Sequence, residues 1–150
     1  MDGAHIVGNG DQVKTVVEAL VAGGSFEQAL RTRSVEEDPP IWTPRITAVV
    51  AGGKLTLSKI GKNGHAFFEA APLEPGNGLC MHTYTGDGDP IRRFHGDPHR
   101  VRFEGSPEEL AKSSWQKLDE ILRVALVVKE IHADGSFRHV IVNRLHVPDR

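Results

Sequence analysis

The sequence predicts an α+β fold in which helices cover the faces of antiparallel sheets. Three observations carry this. Two short amphipathic helical segments open the chain, three strand-like runs separated by glycine turns follow them, and a capped helix leads into a final hairpin.

In the first helical segment, Val13, Val16, Val17, Leu20 and Val21 recur at i, i+3, i+4, i+7 and i+8, which draws one apolar stripe along a helix behind the short apolar segment His5-Ile6-Val7. Gly23-Gly24 ends it. Ser25 and Gln28 then make a capping-box pattern for a second short helix through Leu30. From Glu36 to Pro44 the composition turns acidic and includes three prolines, so this stretch is a loop. Strands are expected at Ile46 to Val50, Leu55 to Ile60 and Ala66 to Ala70, joined by Gly52-Gly53 and by Gly61-Lys62-Asn63-Gly64 as an antiparallel meander.

A Pro- and Gly-containing loop, Pro72 to Gly78, leads to a fourth expected strand from Leu79 to Thr85. Behind it comes a long loop through Gly86-Asp87-Gly88-Asp89-Pro90 to about Pro98. Ser106-Pro107-Glu108-Glu109 is a capping box with Pro at the first helical position, and Leu110, Trp115, Leu118, Ile121 and Leu122 are the expected buried face of the helix behind it. Val124 to Ile131 and Phe137 to Val142 then read as a hairpin across Ala133-Asp134-Gly135-Ser136.

With 150 residues, 39% of them hydrophobic and 25% charged, the chain can bury a core without staples and is expected to form a single domain over 1–150. A net charge of -2 leaves no excess of cations for a phosphate backbone, which argues against nucleic acid as a partner. Cys80 is the lone cysteine, so no internal disulfide forms and a reducing cytoplasm suits the chain. No apolar run approaches the roughly 20 residues that span a bilayer, and Met1-Asp2-Gly3-Ala4-His5 lacks a signal-peptide pattern, so no membrane is expected as a partner.

Eight histidines raise the question of a metal, but no H-E-x-x-H occurs, and Gly96 and Pro98 argue against a helix that would align His95 with His99; no metal site is expected. Gly86-Asp87-Gly88 matches neither a phosphate-binding loop nor a dinucleotide fingerprint and reads as a surface turn. Asn9-Gly10-Asp11 precedes the first helix, where Asp11 is the natural N-cap, although backbone amides there also suit an anion. Arg31, Arg33 and Arg45 flank Glu36-Glu37-Asp38, which sets guanidinium groups able to fork onto phosphate near carboxylates able to move protons; a solvated set of ion pairs is the plainer alternative.

Taken in order, Val7-Gly8-Asn9-Gly10-Asp11-Gln12 with Thr15, Gly23-Gly24-Ser25-Phe26 with Ala29-Leu30, Thr43-Pro44-Arg45-Ile46 and His82-Thr83-Tyr84 resemble successive motifs of the inosine monophosphate (IMP) cyclohydrolase family of archaea and its bacterial relatives. The longer string His82-Thr83-Tyr84-Thr85-Gly86-Asp87-Gly88-Asp89-Pro90, with Phe94-His95-Gly96-Asp97-Pro98 behind it, resembles the bacterial members. The resemblance is dense from His5 to Val101. It departs from the archaeal pattern at Val35, where that pattern has Tyr before the acidic residue, and at Gln12, where it has His.

The resemblance implies an N-terminal-nucleophile-hydrolase-like fold, a layered α/β/β/α sandwich of two antiparallel sheets between helices. It implies an enzyme of purine biosynthesis that closes formylated aminoimidazole carboxamide ribotide to IMP with loss of water, using no cofactor. Glu36 matches the family's acidic active-site position, with Glu37 as the neighbouring alternative, and Arg45 would hold the nucleotide or orient that carboxylate. Asn9, Gly10, Asp11, Arg33, Thr43, His82 and Tyr84 are the implied contacts to a purine ribonucleotide, IMP or its formylated precursor. The family's N-terminal strands and Arg- and Ser-rich motif are not found ahead of Asn9, so the fold is expected to be incomplete there, with a homo-oligomer or a second chain supplying the rest. A non-catalytic nucleotide-binding module, or an enzyme acting on a related purine or imidazole ribotide, remain the alternatives.

Overall fold

The computed structural model describes residues 3–70, 73–86 and 88–145. Pro72, Asp87 and His146, which fall within features read from the sequence, lie outside them. The chain forms two compact units, Met1–Val101 and Arg102–Arg150. Helices and antiparallel sheets together make the α+β class expected.

The first unit is built on a four-stranded antiparallel sheet in the order β1-β2-β3-β4, formed by β1 (His5–Gly8), β2 (Arg45–Ala51), β3 (Lys54–Gly61) and β4 (Gly64–Glu69). The meander from β2 to β4 follows the predicted order. Its first turn places Gly52 and Gly53 at φ of 55° and 72°, the pair of positive values that a two-residue hairpin turn of matching twist requires. Helices α1 (Gln12–Val21) and α2 (Phe26–Arg31) cover one face of the sheet. Val16, Phe26, Ala29 and Leu30 from the helices meet Val49 and Ile60 from the strands, with Ile6, Ala19, Leu20 and Phe67 around them. The register explains which strand residues point that way: Ile6 pairs with Val49, and Thr47 with Ser58, which in turn pairs with Phe67.

Ser25 caps α2, its side chain accepting from the Gln28 backbone amide at 3.2 Å, which is the first half of the expected capping box without the return bond from the Gln28 side chain. Asp11 does not cap α1. It stands at the N-cap position in helical backbone geometry and its carboxylate is drawn elsewhere, so the expected cap is absent. On the opposite sheet face, Val7, Ile46, Ala48 and Leu57, approached by Leu79 and Met81, enclose a cavity of about 390 Å³.

The predicted fourth strand is two strands, β5 (Asn77–Cys80) and β6 (Tyr84–Thr85). Between them the chain bends at Thr83, whose carbonyl accepts from the Phe94 amide at 2.9 Å. The loop behind it carries β7 (Arg92–Arg93), which pairs with β6, and β8 (His99–Arg102) pairs with β5; neither was anticipated.

In the second unit, α3 (Pro107–Lys117) begins with the full capping box: Ser106 accepts from the Glu109 amide and Glu109 accepts from the Ser106 amide. Its end differs from expectation. The Asp119 carboxylate accepts from the Ile121 and Leu122 amides, a local turn that competes with helix, and Leu118, Ile121 and Leu122 are exposed instead of buried. The hairpin of β9 (Ala125–Ile131) and β10 (Phe137–Asn143) forms as predicted and packs against α3. Among the described residues no helix is long and apolar enough to cross a membrane.

Candidate functional site

The end of β1, the start of β2 and the loop that precedes β2 converge on a group of charged side chains. β1 delivers Asn9 and Gly10 just past its last residue, and the antiparallel β1–β2 register, with Gly8 opposite Thr47, brings them beside Arg45 and Ile46. Asn9 fastens this corner: its side-chain oxygen accepts from the Ile46 amide at 2.9 Å, and its amide nitrogen donates to the Pro44 carbonyl at 2.9 Å and to the Thr83 hydroxyl at 3.4 Å.

Arg45 is the hub. Only 13% of its side chain is exposed, and all three guanidinium nitrogens are used. Nε donates to the Ser34 carbonyl at 3.0 Å, Nη1 reaches Asp11 at 2.5 Å and the Gln12 side-chain oxygen at 3.1 Å, and Nη2 lies 2.6 Å from Glu36. Arg33 adds a second guanidinium on Asp11, also at 2.5 Å. Hydrogen bonding from Arg33, with the charge of Arg45 behind it, holds the Asp11 carboxyl below the usual carboxylate range even against its partial desolvation. Glu36 differs from Asp11 in that one guanidinium serves it where two serve Asp11, which leaves it more lone pairs for a ligand. Glu37 is exposed and, among the described residues, makes no ion pair, so the register of the acidic run favours Glu36.

A second group lies across the same loop. The Asp38 carboxylate accepts from the Thr43 amide at 2.7 Å and the Thr43 hydroxyl at 2.5 Å, and that hydroxyl lies 2.9 Å from the Tyr84 hydroxyl. The Thr43 hydroxyl, followed by its amide, pulls the Asp38 carboxyl below its ordinary value. With the Thr43 proton given to Asp38, the Tyr84 hydroxyl donates to Thr43 Oγ1, leaving the Tyr84 oxygen as an acceptor. The two groups are joined by the Glu36 amide donating to the Thr43 carbonyl at 3.2 Å.

Gly10 allows the first group to close, since a Cβ there would stand 2.6 Å from the Gln12 side-chain oxygen and 2.9 Å from Arg45 Nη1. His82 belongs to a different neighbourhood. Its Nδ1 lies 2.6 Å from the Tyr84 carbonyl oxygen and its ring stacks on Phe94 with centroids 3.9 Å apart and meets His99 edge-on. Thus Gly10, Asp11, Arg33, Glu36 and Arg45 come together, Thr43 and Tyr84 stand beside them, and His82 adjoins Tyr84 through backbone.

Sequence reasoning missed three participants. Gln12 is fully buried and donates from its amide to Asn9, Ile46 and Thr47 while accepting from Arg45. Its signal was present, as a polar residue one position before an apolar helical stripe. Asp38 shared the acidic run with Glu36 and had no separate signal. His65, whose Nε2 lies 2.8 Å from the Arg33 carbonyl oxygen, had none.

Comparison with curated proteins returns no match. A family model described as "IMP cyclohydrolase-like protein" matches residues 1–135.

Proposed function

Since the chain belongs to the IMP cyclohydrolase-like protein family, we propose that it closes formylated aminoimidazole carboxamide ribotide to IMP in purine biosynthesis, without a cofactor and in the cytoplasm. The carboxamide nitrogen bonds to the formyl carbon and gives up one proton, which ends on the formyl oxygen. The formamide nitrogen then gives up its proton as the carbon–oxygen bond breaks, and both protons leave with that oxygen as water.

One carboxylate that accepts and returns a proton serves both steps, and Glu36 takes that role. What supports it is the hold of Arg45 on Glu36 at 2.6 Å, which fixes one carboxylate oxygen while about half of the side chain remains exposed. Arg33 and Arg45 on one side and Thr43 and Tyr84 on the other offer polar groups to orient the carboxamide and formyl groups, which favours the near-attack geometry that unimolecular closure needs. His82 lines the base side, and Asn9, Gly10 and Asp11 frame the floor.

The test follows ultraviolet absorbance as IMP forms from the formylated ribotide. Glu36→Gln keeps the shape and a donor–acceptor side chain but removes the base, and is expected to lower the rate by about 10²–10⁴-fold with the fold intact. Full activity in that variant would sink the role of Glu36. No turnover by the native chain, with nucleotide still bound, would point to a binding module that retains the scaffold.

A further inference from the structure

Gln12 is the first residue of α1, and its side chain is wholly buried. A polar side chain withdrawn from water costs stability unless its hydrogen bonds are replaced, and here both ends of the amide are bonded. Nε2 donates to Asn9 Oδ1 at 3.1 Å, to the Ile46 carbonyl at 3.1 Å and to Thr47 Oγ1 at 3.2 Å, while Oε1 accepts from Arg45 Nη1 at 3.1 Å. The partners dictate which way the amide points, because exchanging its nitrogen and oxygen would set an oxygen against the Ile46 carbonyl and an N–H against a guanidinium. Gly8 leaves the room, since a Cβ there would stand 3.2 Å from Nε2.

Three of these partners do not depend on Gln12 for satisfaction. Asn9 Oδ1 also accepts from the Ile46 amide at 2.9 Å, the Ile46 carbonyl accepts from the Asn9 amide at 3.3 Å, and Arg45 Nη1 donates to Asp11 at 2.5 Å. What the buried amide adds is direction. Ser34 and Glu36, which hold Nε and Nη2 of Arg45, lie in the loop ahead of β2, and the 66% exposed Asp11 side chain divides one oxygen between Arg33 and Arg45. Gln12 is the partner of Arg45 that sits inside a helix, and α1 is anchored in the core through Val16. Support from a rigid, packed element is what fixes an otherwise adjustable side chain.

We propose that Gln12 is a positioning residue, which locks the Arg45 guanidinium against rotation about Nε–Cζ so that Nη1 stays toward α1 and Nη2 stays on Glu36. That the carboxylate so aimed moves a proton rests on the cyclohydrolase reading; the aiming itself does not.

Gln12→Met keeps the length and burial of the side chain and removes its hydrogen bonds, and it is expected to fold, which circular dichroism checks. Nitrogen-15 NMR of the Arg45 guanidinium reads the lock directly, because rotation about Nε–Cζ exchanges Nη1 with Nη2. The native chain is expected to show separate Nη resonances in slow exchange, and Gln12→Met to exchange them roughly tenfold faster, the loss of one hydrogen bond to a charged group. Turnover of the formylated ribotide is the second readout. There kcat is expected to fall roughly tenfold in Gln12→Met with KM within about twofold of native, and the double variant with Arg45→Lys to lose no more than Arg45→Lys alone.

Fast Nη exchange in the native chain overturns the lock without any variant. A loss of kcat that adds in full to that of Arg45→Lys, or faster exchange with native kcat, overturns the positioning role in turnover. Faster exchange in the variant of a chain that turns over no ribotide upholds the lock and sinks the cyclohydrolase reading. Native turnover with unchanged exchange in Gln12→Met does the reverse.

Discussion

Arg45 and Glu36 face each other across the mouth of the loop that enters β2, with Nη2 2.6 Å from the carboxylate, while the other arm of the same guanidinium holds Asp11 at 2.5 Å. One largely buried cation thus bridges two carboxylates from separate segments, and its Nε tethers the loop through the Ser34 carbonyl. A lysine has neither the fork nor the third donor. Arg45→Lys is expected to fold and to lose roughly tenfold or more in kcat/KM for ring closure. Arg45→Ala additionally leaves the buried Gln12 oxygen without that donor and is expected to cost about 1–3 kcal/mol in urea denaturation. Native activity in Arg45→Lys would show that charge alone suffices.

Asp11 and Asp38 predict the acid limb of stability. Both folded-state pKa values lie below the reference of 3.8, Asp11 through Arg33 first and Asp38 through the Thr43 hydroxyl first. A depressed carboxyl contributes stability that is fully present above its unfolded pKa and is lost as pH falls through the folded value. The native chain should therefore lose thermal stability as pH drops from about 4 downward. Asp11→Asn and Asp38→Asn should each be less stable at neutral pH and show a shallower decline in acid. Melting curves across that range check this; a native-like acid slope in both variants would mean that neither carboxyl drives the loss.

Gly10 sits where any side chain collides with the hub. The would-be Cβ contacts, 2.6 Å to Gln12 and 2.9 Å to Arg45, involve side chains already fixed by several partners each. Gly10→Ala is expected to shift Arg45 away from Glu36 and to reduce kcat/KM more than it reduces melting temperature, because the displacement falls on the site while the core of Val16, Leu30 and Ile60 is untouched. An alanine variant with native kinetics would show that the hub tolerates the movement.

The parts of this fold legible in the sequence are those set by local periodicity. The helix of α1, the glycine-separated meander and the serine N-caps depend on neighbours a few residues away and formed, although Val17 and Val21 of the α1 stripe stay exposed. Asp11 shows where such reading fails. Cap preference is a local rule, yet its carboxylate is claimed by guanidinium groups 22 and 34 positions along the chain, whose proximity only the sheet register creates. The same holds for α3, where Asp119 forms a turn of its own past the helix end, and for Thr83, where a bend splits the expected strand in two and turns its second half toward β7. In the site, the acidic run and the Thr-Pro-Arg stretch were visible as candidates. That Arg45 selects Glu36, and that Asp38 turns back onto Thr43, follow from how the loop folds on itself, which spacing alone does not encode.

Trp42 makes that fold-back possible at a cost in backbone energy. It is the non-glycine residue among those described with a positive φ, 54°, a region where a side chain crowds its own backbone by roughly 1–2 kcal/mol. The turn is held from both sides: the Ile41 and Trp42 amides donate to the Asp38 carbonyl, and the Asp38 carboxylate receives the Thr43 amide and hydroxyl. Such over-determined strain is what keeps an unfavourable conformation in place, and here it sets the Thr43 hydroxyl against Tyr84. Replacing Trp42 removes the ring that Lys62 overlies whatever the substitute, so the informative comparison is between two small residues. Trp42→Gly relieves the strain and Trp42→Ala keeps it, whereas glycine elsewhere is the less stable of the two because it loses more freedom on folding. Trp42→Gly is therefore expected to be more stable than Trp42→Ala by about 1 kcal/mol in urea denaturation. The opposite order would mean that the loop relaxes to negative φ once the ring is gone, and in that case the alanine variant should also lose the Thr43–Tyr84 contact and with it activity.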